Sequence, residues 1–364
     1  MDAHGIQIPP LALVWRTALF LAIGGLGGYA ASLIRLPMPW MLGSLFVSAV
    51  MVLAVRPRVL EAYTFPPPLR TFFIALIGVM IGTQVTPELW DMAGDLGLSF
   101  LCLIFFVIAA HAGNYQIFRR VGGMDPATAF YSGTPGGLIE SIVTGEAAGA
   151  DIRILTVQQF LRIIVVITTL PLALSLWVGE PVGSAAGILS PNASEPVGPL
   201  AIGMIVMIAV AGMALGGPLR LPAARLTGPL LLAGGLTVTG VLHTHLPGWL
   251  IAAAQCVIGV SLGLRFHGVK LELLRRSLGL SLLSVSYMLV LGGAIAMLLH
   301  VVTGIPFLHL LISYAPGGVA EMSVIALSLA ANPALVSLHH VIRILLTVVE
   351  MPLAARVTGI TARK

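Results

Sequence analysis

SGTPGGLIE (Ser132–Glu140) and SYAPGGVAE (Ser313–Glu321) are two versions of one phrase, each placing a glutamate three residues after a Pro-Gly-Gly break in an otherwise apolar stretch. The surroundings make this unusual. Of 364 residues 58% are hydrophobic and 9% charged, where a soluble domain carries about a quarter charged. Leu96–Phe118, Val197–Leu219 and Ser277–Ala320 contain no Asp, Glu, Lys or Arg, and a membrane-spanning helix needs roughly 20 such residues. The chain is expected to be an all-α polytopic membrane protein.

Ser132, Pro135, Gly136, Gly137 and Glu140 match Ser313, Pro316, Gly317, Gly318 and Glu321 at a fixed offset of 181 residues. The same offset carries Ile77-Gly78-Val79 and Gly82 onto Ile258-Gly259-Val260 and Gly263, Arg162 onto Arg343, and Pro171-Leu172-Ala173 onto Pro352-Leu353-Ala354. Upstream, Arg35-Leu36-Pro37 and Gly43 align with Arg220-Leu221-Pro222 and Gly228 at an offset of 185. Two homologous halves therefore make up nearly the whole chain. The expected organisation is an N-terminal tail (1–11), membrane repeat 1 (12–180), an extracytoplasmic linker (181–197), membrane repeat 2 (198–357) and a cytoplasmic tail (358–364). Spans are expected near 12–34, 37–55, 68–86, 96–118 and 154–178, then 198–217, 226–243, 249–264, 278–300 and 335–357. The phrases sit in extra apolar segments at 127–150 and 306–331. Thr17–Ile34 also has the look of a signal peptide, but its counterpart beginning near Val197 assigns it to the mature fold.

Loop charges orient the halves. Arg56, Arg58 and Arg70, and Arg119-Arg120, form basic loops, whereas Glu88, Asp91 and Asp95 share a loop with no Lys or Arg; basic loops face the cytoplasm. In the second half the counterpart of the acidic loop is basic, with Arg265, Lys270, Arg275 and Arg276. The halves are thus expected to insert upside down to each other, with about ten spans in two inverted five-span repeats. That parity requires 127–150 and 306–331 to be broken, re-entrant segments that return to the side they came from.

Non-helical backbone at membrane depth needs protein or water to satisfy it. A proline that lacks a donor and two glycines permit a tight reversal, and the half-helix after it begins with free N–H groups and a positive dipole end. Such an end takes anions, and inverted repeats would bring the two tips together at mid-membrane. With Gly137 and Gly318 as N-caps, Glu140 and Glu321 fall at the third helical position. They read either as capping carboxylates or as proton- or cation-binding groups. Arg162 and Arg343 would hold an anionic solute or neutralise those glutamates. Ser132, Thr134, Ser141, Ser313, Tyr314 and Ser323 are the polar candidates nearby, each also readable as a helix-packing hydroxyl. The halves differ at Thr134/Ala315, Ser141/Met322, Asp151/Asn332 and Gln158-Gln159/His339-His340, the asymmetry a single selective site would need.

Other signals carry less. Cys102 and Cys256 lie in different spans without metal-ligand spacing and read as core residues. The net charge of +5 sits in short loops, so no nucleic-acid partner is expected. Adjacent His339-His340 diverge by about 100 degrees on a helix, and no metal site is expected. The Gly24-Gly25-Leu26-Gly27-Gly28 run lies inside a span and reads as helix packing rather than a dinucleotide loop. Lys270 and Lys364 are the two lysines, and neither sits in a nucleotide-binding GxxxxGK[ST] loop.

The paired Pro-Gly-Gly-x-x-Glu phrases and the matched arginines resemble the bacterial AbrB-type membrane proteins with a duplicated domain, a family unrelated to the small DNA-binding protein of the same name. The resemblance covers about residues 15 to 357. Members carry labels such as ammonia monooxygenase and regulator of gene expression, and the family is distantly similar to cation/proton antiporter and bile-acid-type transporter folds. That similarity implies inverted five-span repeats. Those antiporters carry carboxylates within an unwound crossing, whereas here the carboxylate follows the Pro-Gly-Gly, so the coupling ion stays open.

Three functions compete. A secondary transporter, ion-coupled or facilitative, explains the halves, the breaks and the buried charges together. A monooxygenase would need clustered metal ligands, and His111, His300 and His309 are scattered. A regulator of gene expression would need an effector surface, and the loops are short. The expectation is a non-enzymatic transporter without cofactor, moving a small solute, an anion being one candidate, by alternating access. Its partners would be the lipid bilayer, the solute and H+ or Na+, and a homodimer is left open. The expected location is the bacterial inner (plasma) membrane, multi-pass, with both termini cytoplasmic. The expected site comprises Glu140, Glu321, Arg162, Arg343, Ser132, Thr134, Gly136, Gly137, Ser313, Tyr314, Gly317 and Gly318.

Overall fold

The structure, a computed structural model, describes residues 10–55, 63–85, 93–179, 197–242 and 244–360. Arg56, Arg58, Glu88, Asp91, nearly all of the expected linker and most of both tails lie outside the described residues. The described residues hold fourteen α-helices and no strand. The first seven are α1 (Pro10–Leu33), α2 (Pro39–Val50), α3 (Pro67–Gly82), α4 (Ala93–Gln116), α5 (Pro126–Ser132), α6 (Leu138–Ala147) and α7 (Ile152–Val178). The same series follows as α8 (Pro199–Gly216), α9 (Ala224–Val238), α10 (Gly248–Gly263), α11 (Leu271–Thr303), α12 (Phe307–Tyr314), α13 (Val319–Ser328) and α14 (Pro333–Thr358). One π-helical turn extends α2 to Val55, a second extends α4 to Val121, and a 3-10 turn carries α10 to Phe266.

Seven of these helices are long and apolar enough to cross a bilayer: Leu11–Leu33, Gly94–Val121, Ile152–Trp177, Pro199–Gly216, Gly248–Phe266, Leu271–Thr303 and Pro333–Thr358. The chain is a helical, multi-pass membrane protein. The other three expected spans appear as shorter apolar helices, Pro39–Val55, Pro67–Gly82 and Ala224–Val238, which at 1.5 Å per residue reach only about 22–26 Å. The largest boundary difference from the sequence reading is at the start of α11. The expected basic loop from Arg265 to Arg276 is helical from Leu271, because Glu272 sits in the first turn of α11, where a carboxylate favours the positive helix end. Arg276 reaches across to the carbonyl of Gly122 at 2.6 Å.

Two packed groups result. α1, α2 and α3 pack with α8, α9 and α10, while α4, α5 and α7 pack with α11, α12 and α14. Glycine lets the first group close. A methyl group on Gly78 would lie 2.4 Å from the Leu226 carbonyl, and one on Gly82 would lie 2.6 Å from that of Leu230. Reciprocally, methyls on Gly259 and Gly263 would lie 2.4 and 2.6 Å from the carbonyls of Met41 and Leu45. The third helix of each half thus crosses the second helix of the other at matched positions, backbone against backbone. The Gly24–Gly28 run works the same way, with Gly24 against Val260 and Gly28 against the Trp40 ring.

Candidate functional site

The first break is a hairpin. Asp125 caps α5 by accepting from Thr128 N at 2.9 Å, with Pro126 preorganised at the first position. After Gly133–Gly136 the chain restarts at Gly137, whose left-handed backbone (φ 59, ψ 54) caps α6, a conformation glycine adopts without penalty. α6 then doubles back: Gly145 packs on Tyr131, at the end of α5, and Asp151 N donates to Thr128 Oγ1 at 2.7 Å. The two ends of the segment therefore lie together. In the second half the corresponding cap is Gly318, in extended conformation (φ −80, ψ 154), and all ten residues of α13 are buried.

α7 and α14 supply what the breaks lack. The C-terminal carbonyls of α5 and α12 have no helical partners. Gln159 Nε2 donates to Tyr131 O at 3.0 Å and to Thr134 Oγ1 at 2.9 Å, and Arg162 Nη1 donates to Thr134 O. At the matched positions His340 Nε2 donates to Ile312 O at 3.2 Å, and Arg343 donates to Ala315 O and Gly317 O, both at 2.5 Å. Each guanidinium faces the negative end of a half-helix. Arg162 is 6% exposed and Arg343 1%, and no carboxylate ion-pairs with either among the described residues. The Nε of each is buried and unsatisfied.

The two tips share one place. A methyl on Gly136 would lie 3.0 Å from Thr347 Oγ1 and 3.6 Å from Arg343 O, in α14, while one on Gly317 would lie 3.1 Å from Val166 in α7. Val166 and Thr347 are themselves matched by the 181-residue offset. Both breaks are held between α7 and α14, and the N-termini of α6 and α13 add partial positive charge to two buried guanidiniums.

The glutamates part company. Glu321 is buried, with Oε1 3.8 Å from Arg70 Nη2 on α3, and α3 packs on α13. Glu140 is exposed beside exposed Ile139 and Val143. Both carboxylates fold back over their caps, Glu321 Oε2 lying 2.2 Å from a methyl placed on Gly318 and Glu140 Oε2 3.4 Å from one on Gly137. Of the polar candidates, Thr134 bonds Ser141 at 2.7 Å, and Ser132 is buried with its hydroxyl unsatisfied. Ser313 bonds back to His309 O, and Ser323 bonds Ser337 at 2.6 Å. Tyr314 is drawn away from the tips, its hydroxyl donating to Ser99 O on α4 at 2.7 Å.

Half of the expected asymmetry proves architectural. Asp151 and Asn332 are the N-caps of α7 and α14. Gln158 and His339 tie those helices to Ser281 on α11 and Ser99 on α4. The differences that remain at the tips are Thr134/Ala315 and Ser141/Met322. Sequence reasoning missed Arg70, Thr347 and a second side-chain pair, His111–Glu350, whose members are 239 residues apart.

Two crevices flank the site at matched ends of α14 and α7. One, of about 580 Å³, is apolar, lined by Val85, Leu96, Phe100, Leu230, Gly234 and Leu335. The other, of about 630 Å³, is basic, lined by Arg153, Thr156, Phe160, Arg265, His267 and Lys270.

Comparison with known proteins gives concordant matches. A family model described as "Transition state regulatory protein AbrB" matches residues 50–359. The chain is 25% identical to the "Uncharacterized protein YhjN" of Bacillus subtilis (strain 168), over 92% of this chain and 90% of that one. It is also 25% identical to the "Putative regulator AbrB" of Escherichia coli (strain K12), over 95% of this chain and 96% of that one.

Proposed function

This chain belongs to the AbrB family, and on that footing we propose that it is a secondary transporter moving a small anionic solute by alternating access. The observation that carries the reading is the pair of arginines, buried at the meeting point of two helix breaks with no carboxylate paired to either among the described residues. Burying a cation without an ionic partner is costly. Backbone carbonyls offset part of that cost, and an anion lying between the tips would offset the rest. Thr134 and Ser141 would sort solutes, and Arg70–Glu321 would close one side.

The topology belongs to the same proposal. The three shorter helices cross with the seven long ones, giving ten spans, and two hairpins that return to their own side leave five crossings per half. An odd number inverts the second half relative to the first, so the two-fold exchanging them lies in the membrane plane. The basic crevice and both termini then face the cytoplasm of a bacterial inner membrane, and the apolar crevice faces the opposite side. No enzymatic step enters this reading. A homodimer is compatible with exposed Ile139 and Val143 on α6.

The family description and the name of the Escherichia coli relative point to a second reading, regulation, which the same activity accommodates: a protein that sets the level of a cytoplasmic anion alters whatever that anion controls. The test is counterflow in proteoliposomes with a panel of radiolabelled inorganic anions and short mono- and dicarboxylates. At least one should exchange, and Arg343→Gln should abolish the exchange. Equal flux in protein-free liposomes for every solute would reject the transporter.

A further inference from the structure

The His111–Glu350 pair lies outside the site described above. His111, on α4, is 2% exposed. Its Nε2 is 3.0 Å from the Phe130 carbonyl on α5, and its Nδ1 is 2.9 Å from both Oε1 and Oε2 of Glu350 on α14. Donor accounting fixes the protonation. A carbonyl only accepts, so Nε2 carries a hydrogen. If Nδ1 were bare, its lone pair would face two carboxylate oxygens with nothing between them. A proton therefore sits in that gap, as imidazolium with carboxylate or as neutral imidazole with carboxylic acid. Either way the pair is neutral and holds one proton more than the fixed Nε2–H.

We propose that His111 and Glu350 bind one exchangeable proton whose occupancy sets the position of the first hairpin; the hairpin link rests on the transport reading, and the proton site does not. Glu350 is 16% exposed at its side chain and His111 3%, so the carboxylate is the edge of the pair at which the proton would enter and leave. Its departure leaves a net negative pair with opposed lone pairs, and the ring turns or α14 shifts. Turning the ring releases Phe130 O, two residues before the end of α5, and the break follows from Gly133. The other titratable groups on these elements are Asp95, Cys102, Tyr115, Arg119 and Arg120 on α4 and its π turn, Asp125 at the cap of α5 and Tyr131 within it, Glu272, Arg275, Arg276, Tyr287 and His300 on α11, and His339, His340, Arg343 and Arg356 on α14. None of the charged ones ion-pairs with Glu350 among the described residues. Tyr287 donates to Ala109 O and Arg119 to Met124 O. The site exists in one half only, since the matched positions are Gly292 and Thr169, and Thr169 bonds its own helix at Val165 O.

The test uses full-length protein in detergent micelles with 15N-labelled histidine and 13C-labelled glutamate, titrated over pH, the His111 signal being assigned by its loss in His111→Gln. His111 Nδ1 and the Glu350 carboxyl should titrate together in a single one-proton step while Nε2 stays protonated, and NaCl should not shift that step. In Glu350→Gln the coupled step should vanish, and in Glu350→Asp it should persist. Circular dichroism establishes that the variants are folded. Independent titration of the two groups, or a bare Nδ1 at every pH where the protein is folded, would overturn the proton site. In proteoliposomes, a trapped pH dye should report proton movement with any anion that exchanges, and Glu350→Gln should abolish the proton movement. Exchange with proton movement unchanged in Glu350→Gln would overturn the link to the hairpin, and no exchange at all would reject the transport reading and with it that link, leaving the titrated proton site standing.

Discussion

Replacing Arg343 by lysine separates charge from geometry at the second break. Lysine preserves the cation and most of the burial, but its ammonium is a point donor, whereas guanidinium spans two acceptors at once. Arg343 serves Ala315 O and Gly317 O, two residues apart, from two different nitrogens. A lysine satisfies one of them, and the other carbonyl stays buried without a partner. A lost charge-assisted bond costs about 1.5–3 kcal/mol, on the order of a 10- to 100-fold change in the folding equilibrium. Arg162 has one such bond, to Thr134 O, which a lysine can keep, so Arg162→Lys should cost less than about 1 kcal/mol. Reversible unfolding in mixed micelles of increasing SDS fraction, followed by tryptophan fluorescence, measures both variants against the parent. If Arg343→Lys matches the parent, or if Arg162→Lys is the more damaging of the two, the arginines are not carbonyl clasps of the kind described.

Further outcomes follow from the same contacts. Gly137→Ala forces a side chain into left-handed backbone and should cost about 1–2 kcal/mol, with Gly137→Asn milder. Gly318→Ala has no such backbone penalty but displaces the Glu321 carboxylate, so it should alter anion exchange more than SDS resistance. Removing the cap in Asn332→Ala should cost about 1 kcal/mol, whereas Asp151→Asn, which copies the cap of the other half, should be close to neutral. Gly259→Leu drives a side chain against the Met41 carbonyl and should prevent folding, visible as loss of the monodisperse peak in size-exclusion chromatography. A maleimide should label Glu140→Cys faster than Glu321→Cys in the purified protein, because only the first position is exposed; equal rates would contradict the asymmetry of the two hairpins.

The caps, the breaks and the helical periodicity are local, and the sequence shows them plainly: Gly137 and Gly318 begin their half-helices where the Pro-Gly-Gly phrases place them. The matched arginines are equally visible, but what they touch is not. Reading them against an anionic solute or against Glu140 and Glu321 matched charge with charge, while the chain uses them on carbonyls that helix breaking leaves bare, a demand made by backbone rather than by any side chain. Nor does the repeat foretell that Glu321 is buried under α3 while Glu140 is exposed, because duplicated sequence does not determine which face each hairpin shows to its neighbours. Arg70–Glu321 and His111–Glu350 join residues from opposite halves that share no motif, so only the packed structure brings them together.

The crossed glycine contacts have a consequence for how the protein is made. Gly78 on α3 needs the backbone of α9, which follows it by roughly 150 residues. A ribosome adding about 5–20 residues each second leaves α3 in the membrane without its partner for on the order of ten seconds. During that time its bare glycine face is open to any helix nearby. A truncated chain ending before α9 should therefore be a substrate for membrane proteases rather than a smaller folded unit.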